Sequence, residues 1–456
     1  MSAQRAEEVD VVVIGMGPGG EDAAGRLAEA GLSVVGVEAR LVGGECPYYG
    51  CVPTKMMIRA ADLLAEGRRI PGMAGDSRVT PDWSQVAKRI REEATDSWDD
   101  RVAAERFEGR GGTLVRGLGR ITAPREVTVG DRVFRARRGI VLNTGTDPVV
   151  PPIEGLKDTP YWTNREAVEA EEVPASLVVL GGGAIGTEMA QAFSRFGSRV
   201  TVVEARDRLL AVEEPEACDL LREVFEREGI TVRSGTAARR VRHEDGVFHV
   251  DLDGETVTGE RLLVAAGRRS RLREAGIGVL GLDEDARTIT VDDRMRAADG
   301  LWAIGDITGK GAFTHISMYQ ADIVVRDVLG QGGPSADYRA LPRVTFTDPE
   351  VGAVGLTEAQ ARDRGVNVRT GYAPIPESSR GWIHKAGNDG FIKLVEDAGR
   401  GVLVGATSAG PTGGEVLGAL TVAVHAEVPV DRLRDMIYAY PTFHRAIEAA
   451  VRNLSA

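Results

Sequence analysis

Val9-Asp10-Val11-Val12-Val13-Ile14-Gly15-Met16-Gly17-Pro18-Gly19-Gly20 is the stretch that decides the fold. Its first six residues, largely apolar and β-branched, read as a buried strand. The strand ends in a glycine-rich turn and passes into a helical pattern that runs to Ala30. Gly31 stops the helix, and Ser33 to Val37 reads as a second strand ending at Glu38. The same order returns far downstream: Leu177 to Leu180 as strand, Gly181-Gly182-Gly183-Ala184-Ile185-Gly186 as turn, and a helix to about Phe196. Gly197 stops that helix, and Arg199 to Val203 is a strand ending at Glu204. In both copies the acid lies 23 positions after the first glycine. Such an echo predicts two separate dinucleotide-binding units rather than a solenoid.

Each position of the turn has its own physical demand. The first glycine (Gly15, Gly181) makes the turn, and the second (Gly17, Gly183) removes a side chain that would block a pyrophosphate. The third (Gly20, Gly186) lets helix and strand pack closely, so that the helix N-terminus points its dipole at the phosphates. Glu38 and Glu204 are placed to accept a hydrogen bond from a ribose hydroxyl. Glu204 favours NAD, because a carboxylate repels a 2′-phosphate. Arg206 and Arg208 follow it at once and keep NADP open, since arginines bind that phosphate; they also suit a solvated loop.

Two of the three cysteines sit together in Cys46-Pro47-Tyr48-Tyr49-Gly50-Cys51. In a straight helix, residues five apart have Cα atoms roughly 8.6 Å apart, whereas a disulfide wants about 4.4–6.8 Å. Bonding of this pair therefore requires a bent segment, and Gly50 is well placed to permit one. An accessible, strained disulfide is easily reduced, as a redox catalyst needs. The first loop lies nearest the cysteines, so its nucleotide is expected to be a flavin and that of the second a nicotinamide. A structural zinc site wants four ligands, and no cysteine or histidine nearby completes one; no metal is expected.

The 57 glycines in 456 residues exceed the usual ~7 per cent, and much of the excess falls in loops where backbone must approach a ligand. A net charge of −12 argues against nucleic acid or an anionic membrane surface as partner. No apolar run approaches the ~20 residues of a membrane helix. The stretch from Met1 to Glu8 is polar, without a secretory apolar segment. A cytoplasmic protein is expected, and in a reducing compartment a close cysteine pair suggests redox work.

Between the two units, Met56 to Glu66 and Val86 to Glu105 look helical, and Thr113 to Val129 and Arg132 to Leu142 look like strands. Thr231 to Leu263 reads as short strands around Asp245-Gly246 and Asp253-Gly254. Leu301 to Ile304 is another buried strand, with a helix starting near Thr314. From about Leu341, strands (Val344 to Phe346, Phe391 to Val395, Val402 to Thr407) are followed by helices.

These residues together resemble the class I FAD-dependent pyridine nucleotide–disulfide oxidoreductases, a family that includes lipoamide dehydrogenase, glutathione reductase and mercuric reductase. Gly43-Gly44-Glu45-Cys46 through Cys51-Val52-Pro53-Thr54-Lys55 resembles the family's redox-disulfide segment, and Gly181 to Glu188, with Ala190, its nicotinamide motif. Thr144-Gly145 and Ala265-Ala266-Gly267-Arg268 resemble the strand ends that close each nucleotide domain. Ala303-Ile304-Gly305-Asp306 resembles the second flavin motif, and Leu341-Pro342 with Phe346-Thr347-Asp348-Pro349-Glu350 the start of a dimer-interface domain. The implied fold is α/β: two Rossmann-like dinucleotide-binding domains plus a C-terminal α+β dimerisation domain. Boundaries are expected at 1–148 and 270–340 for FAD, 149–269 for NAD(P), and 341–456 for the dimer.

By position, the resemblance implies Cys46 as the thiol that attacks substrate and Cys51 as the thiol that contacts the flavin. Lys55 would lie by the flavin and pair with Glu188, and Ile185 would gate the nicotinamide pocket. Asp306 would bind the ribityl chain. Leu118 and Gly119 would lie along the adenine, while Gly44, Glu45, Thr144, Gly145 and Gly267 would line the nucleotides. Pro53, read as a first helical residue, puts Cys51 at a helix N-terminus, where a thiolate is favoured.

The tail departs from the family. Its dithiol reductases carry H-x-H-P-T-x-x-E, whose second histidine is the acid–base, held by the glutamate and supplied by the other subunit. Here the stretch is Tyr438-Ala439-Tyr440-Pro441-Thr442-Phe443-His444-Arg445. Tyr440 replaces the histidine and Arg445 the glutamate. Tyrosine titrates near 10 and histidine near 6.5, so Tyr440 is a poor base at neutral pH. Mercuric reductase resembles the chain in this tyrosine, but its C-terminal cysteine pair and N-terminal metal-binding domain are not expected here. His444 is the candidate replacement base, against packing at a helix start. His315 stands between the flavin edge and the same kind of packing, Tyr48 and Tyr49 between shaping a pocket and packing, and Cys218 reads as a small buried residue. The expected enzyme is a homodimer passing electrons from NAD(P)H through FAD and the cysteine pair to a small-molecule acceptor: a disulfide, quinone or metal ion. A lipoamide dehydrogenase and a flavin-loaded redox sensor are the alternatives.

Overall fold

The computed structural model describes residues 6–455. The first five residues of the polar N-terminal stretch lie outside it. The chain divides into two compact units, one comprising residues up to 54, 88–149 and 268–337, the other 55–87, 150–267 and 338 onward.

In the first unit, the strand Glu7–Ile14 runs through the middle of a sheet, with Val11, Val12 and Val13 fully buried. It is flanked in parallel by Val34–Glu38, Val11 opposite Val34, and by Arg132–Leu142, Ile14 opposite Leu142. Burial on both faces explains the unbroken valine run. Thr113–Arg116 extends one side and Leu301–Ala303 and Arg296–Ala298 the other, while the hairpin Gly119–Ala123/Glu126–Val129 leaves along Arg132–Leu142. The helix Pro18–Glu29 opens with proline in its first turn. A Cβ at Gly19 would collide with Ser317 on the helix Thr314–Val328, so glycine lets these two helices touch.

The second unit holds a four-stranded parallel sheet ordered Thr231–Arg233, Arg199–Val203, Ser176–Leu180, Arg261–Val264. A three-stranded antiparallel sheet, Arg240–Glu244, Val247–Asp251 and Thr256–Gly259, shares its core through Phe248 and Val250. The C-terminal part is a five-stranded antiparallel sheet ordered Pro342–Thr345, Glu350–Gly355, Val402–Gly410, Phe391–Asp397, Val368–Pro374. Leu394, Leu417, Leu420, Ala450 and Val451 pack between it and the helices Gly413–His425 and Ala446–Arg452.

Three expectations are corrected. The helix predicted over Met56 to Glu66 spans Cys51–Arg69, so Pro53 is its third residue and Cys51 its first. The continuous helix predicted over Val86 to Glu105 is broken: Trp83–Arg89 runs into a π-helical turn, Ile90–Ala94, and helix resumes only at Arg101–Gly109. The Thr95 hydroxyl donates to the Ile90 and Arg91 carbonyls, and Asp96, Ser97 and Trp98 follow with φ of 49, 58 and 58°. Such residues cost roughly 1–2 kcal/mol each outside glycine. The strands Glu350–Gly355 and Val368–Pro374 were not anticipated.

Candidate functional site

The two glycine loops obey different constraints within one design. A Cβ at Gly15 would strike the Asn143 carbonyl, and one at Gly20 the Gly15 carbonyl; at Gly181 and Gly186 the obstacles are the Ala265 and Gly181 carbonyls. Those four glycines serve the turns themselves. The middle glycines do not. A Cβ at Gly17 would lie 3.4 Å from the Asn143 amide nitrogen, an ordinary contact, and one at Gly183 would meet nothing within 4 Å. Chain packing does not demand glycine there, whereas a pyrophosphate lying on the loop does. Gly17 and Gly183 also begin their helices without any side-chain cap, leaving first-turn N–H groups for phosphate oxygens. The residues present therefore fit two dinucleotides.

The acids behave alike. Glu38 accepts hydrogen bonds from the Met16 and Arg40 N–H groups at 2.8 and 2.7 Å; burial nevertheless pushes its pKa up. Glu204 accepts from the Gly182 and Arg206 N–H groups at 2.6 and 2.7 Å. Each carboxylate thereby closes its own glycine loop.

The cysteine segment is bent, as bonding requires. Cys46 lies in a short helix, Glu45–Tyr48, and Cys51 starts the next. Gly50 is not in the left-handed region; its role is space, since a Cβ would sit 3.1 Å from the Glu45 carbonyl and 3.4 Å from the Cys46 Cα. Gly44, at φ 68°, brings the segment against the first loop, where its Cβ would fall 2.8 Å from the Gly17 Cα. Cys46 is half-buried and Cys51 exposed. A hydrogen bond to Cys51, followed by burial, pushes the Cys46 pKa far up. Thr314 Oγ1 lies 3.4 Å from Cys51 Sγ and also bonds Cys46.

Lys55 is one turn beyond Cys51, and its Nζ donates to Glu188 Oε2 at 2.7 Å. The other Glu188 oxygen accepts from the Phe346 N–H at 2.8 Å, and Lys55 lies 4.7 Å from the Phe346 ring centre. Asp306 accepts from the Thr146 hydroxyl at 2.7 Å, which in turn accepts from Arg268 Nε at 2.9 Å; Arg268 also stands 3.7 Å from Glu45. Leu118 is 70 % exposed, whereas Gly119 is held by packing, its Cβ position about 3 Å from Ile14 and Val37. Thr144 and Gly267 are exposed, and Gly145 and Ile185 half-buried, at the ends of their strand and loop.

Asn143, Thr146 and Thr314 were given no role by the sequence reading, and Arg268 was named there only as the end of a motif. Asn143 donates to the Gly15 carbonyl at 3.1 Å and accepts from Ser317 at 3.1 Å, bracing the first loop. Their only linear signal is adjacency to Thr144-Gly145, Gly267 and the predicted helix start.

Residues 9–321 match the family model described as pyridine nucleotide-disulphide oxidoreductase, and residues 341–451 match its dimerisation domain. The chain belongs to this family. Its members are FAD-dependent and use NAD(P)H, and the chain is an NAD(P)H-dependent flavoprotein disulfide oxidoreductase. It is 32 % identical to a mercuric reductase of Acidithiobacillus ferrooxidans, covering 100 % of this chain and 84 % of that one. It is 33 % identical to a dihydrolipoyl dehydrogenase of Thermus scotoductus, covering 98 % and 97 %. Among solved structures, it is similar to the Cu(II) complex of the HOCl-induced flavoprotein disulfide reductase RclA from Escherichia coli. That match has TM-score 0.86 and 26 % identity, covering 98 % of this chain and 99 % of that one.

Tyr440 is 68 % exposed, and the Arg445 guanidinium lies 5.4 Å from its ring centre. Arg445 also donates to the Tyr438 carbonyl at 3.2 Å and pairs with Glu448 at 3.0 Å. His444 lies in a short 3₁₀ turn, its ring 6.3 Å from that of Tyr438. His315 is exposed and stacks on Phe313 at 5.1 Å. Cys218 is buried, bonds the Leu210 and Glu214 carbonyls, and has its pKa raised to about 11 by burial. No helix among the described residues is long and apolar enough to cross a membrane.

Proposed function

We propose that this chain oxidises NADH and relays two electrons through Cys46 and Cys51 to an acceptor that needs no imidazole proton relay, a soft metal ion or a quinone. The observation that carries the reading is tyrosine at the family's base position, exposed and facing the Arg445 guanidinium. Attack by Cys46 on a disulfide requires loss of its proton, and a phenol is a weak base for the task. A soft metal ion deprotonates the thiol it binds, and a quinone takes up the two thiol protons as it becomes hydroquinone, so neither needs that base.

Bound FAD would supply the hydride acceptor for the nicotinamide and the source of two electrons for the cysteine pair. The chain's own residues do the rest. The loops at Gly15–Gly20 and Gly181–Gly186 would hold the pyrophosphates, and Glu38 and Glu204 the riboses. Asp306, kept in place by Thr146 and Arg268, binds the ribityl chain. Lys55, fixed by Glu188, sits one turn from Cys51 and supplies positive charge. With two electrons and two protons the Cys46–Cys51 bond opens to two thiols. Residues up to 148 with 270–340 form the FAD domain, 149–269 the nicotinamide domain, and 341 onward the contact of a homodimer working in the cytoplasm. Glu204 sets the preference for NADH.

Anaerobic titration with NADH tests the relay: uptake of four electrons per flavin is expected, and uptake of two in fully loaded protein rejects it. Turnover with dihydrolipoamide is expected to be slow in the native enzyme and to rise roughly 10²-fold in Tyr440→His. The second reading, a lipoamide dehydrogenase, is favoured by the 33 % identity over nearly the full length of such an enzyme. Fast native dihydrolipoamide oxidation with NAD would establish it instead.

A further inference from the structure

We propose that the turn Asp96–Asp100 is a clamp on the Cys46–Cys51 segment, with Trp98 and Asp100 as positioning residues for its dithiol–disulfide equilibrium. The proposal rests on reading these cysteines as a redox couple.

The turn touches the segment at both ends. The Trp98 ring stacks on Tyr49, with centroids 6.3 Å apart and planes at 27°. Tyr49 is the residue that ends the Cys46 helix. At the other end, the Asp100 carboxylate accepts the Val42 N–H at 2.6 Å while both its oxygens pair with Arg116 at 2.6 and 2.8 Å. Val42 leads directly into Gly43 and Gly44, from which the Cys46 helix springs. One end is held through a ring and the other through an ion-paired carboxylate.

The backbone of the turn is built for this. Asp96, Ser97 and Trp98 are all left-handed and none is glycine. They are held by the Ser97 N–H on the Arg91 carbonyl at 2.6 Å and the Asp99 N–H on the Asp96 carbonyl at 3.1 Å. Strain of this kind persists only where the surroundings fix it, and it gathers at functional sites. Its result here is to direct a side chain from one short turn onto each end of the cysteine segment. The Trp98 indole N–H is buried and has no acceptor among the described residues. The position therefore uses the ring face and not a hydrogen bond, and phenylalanine should serve as well.

Closing the disulfide joins two sulfurs while two electrons and two protons leave, here to oxidised dithiothreitol, whose S–S bond opens to two thiols. The tendency to close rises with the effective concentration of one thiol at the other, which falls when the segment loosens. The test equilibrates FAD-loaded protein in dithiothreitol redox buffers and counts free thiols by alkylation and mass. Trp98→Ala is expected to shift the equilibrium about tenfold toward dithiol, a potential about 30 mV more positive. Trp98→Phe should stay within about twofold of native. An unshifted Trp98→Ala overturns the clamp. A native protein whose two cysteines never interconvert overturns instead the redox reading beneath it. If Trp98→Ala does not fold with FAD, Tyr49→Leu probes the same contact from the other side. There too a shift toward dithiol supports the clamp and a native equilibrium overturns it.

Discussion

The two glycine loops share a plan yet differ at one point. Gly17 faces the Gly44 backbone and the Asn143 amide, so the first loop is partly roofed by the segment that carries Cys46. Gly183 faces open space. A roofed loop suits a nucleotide that stays, and an open one suits a nucleotide that comes and goes. Identical motif positions thus serve residence in one unit and exchange in the other, and the difference lies in what the rest of the chain places above them.

The sharpest break is expected at the third glycines. Gly20→Ala or Gly186→Ala drives a methyl into a carbonyl of its own loop, which costs about 1–3 kcal/mol or more. The first should yield protein without FAD and the second protein that keeps FAD but no longer reacts with NADH, as absorbance and stopped-flow mixing will show. If both lose FAD, the units are not separate in function. Next is Gly183→Ala, which meets no protein atom: unchanged melting and FAD content are expected, with the KM for NADH raised about tenfold through the lost pyrophosphate approach. An unchanged KM would mean that no nucleotide lies over Gly183.

A smaller effect is expected from Glu204→Gln, which removes the charge and keeps an acceptor for only one of the Gly182 and Arg206 N–H groups. The NADH over NADPH preference should narrow by a few-fold to tenfold in kcat/KM, because a 2′-phosphate is no longer repelled. The smallest effect contrasts the thiols of the two units. Cys218, its pKa pushed to about 11 by burial, should react with iodoacetamide at pH 8 at least about 100-fold more slowly than Cys51, and Cys218→Ala should leave turnover unchanged. Equal labelling would show that the helix Pro215–Arg227 opens readily.

Much of this was legible because it is local. The run Val9–Ile14, the stop at Gly31 and the acid at Glu38 lie within thirty residues, and periodicity and glycine placement declare them. The cysteine pair declares itself by spacing; its partners Lys55 and Glu188 came through resemblance. What stayed hidden is carried by distant pairings. Thr314 reaches Cys51 across 263 positions and Arg268 reaches Thr146 across 122, and no linear pattern announces either. Glu350–Gly355 was missed because its two glycines weaken a strand signature. The break after Ile90 was missed because alanine, glutamate and arginine there favour helix, and a single threonine hydroxyl redirects the carbonyls.

One small ribbon bears on how the chain could be cut and rejoined. Where the chain leaves the first unit at Asp147-Pro148 and where it returns at Arg268-Arg269, the two crossings pair antiparallel. On either side of that ribbon, Arg132–Leu142 and Leu301–Ala303 are already neighbours in one sheet. A short peptide bridging residue 148 to residue 268 would therefore leave the sheet's strand order untouched. The intervening stretch is topologically an insert, one that could be excised without re-threading any strand of that sheet.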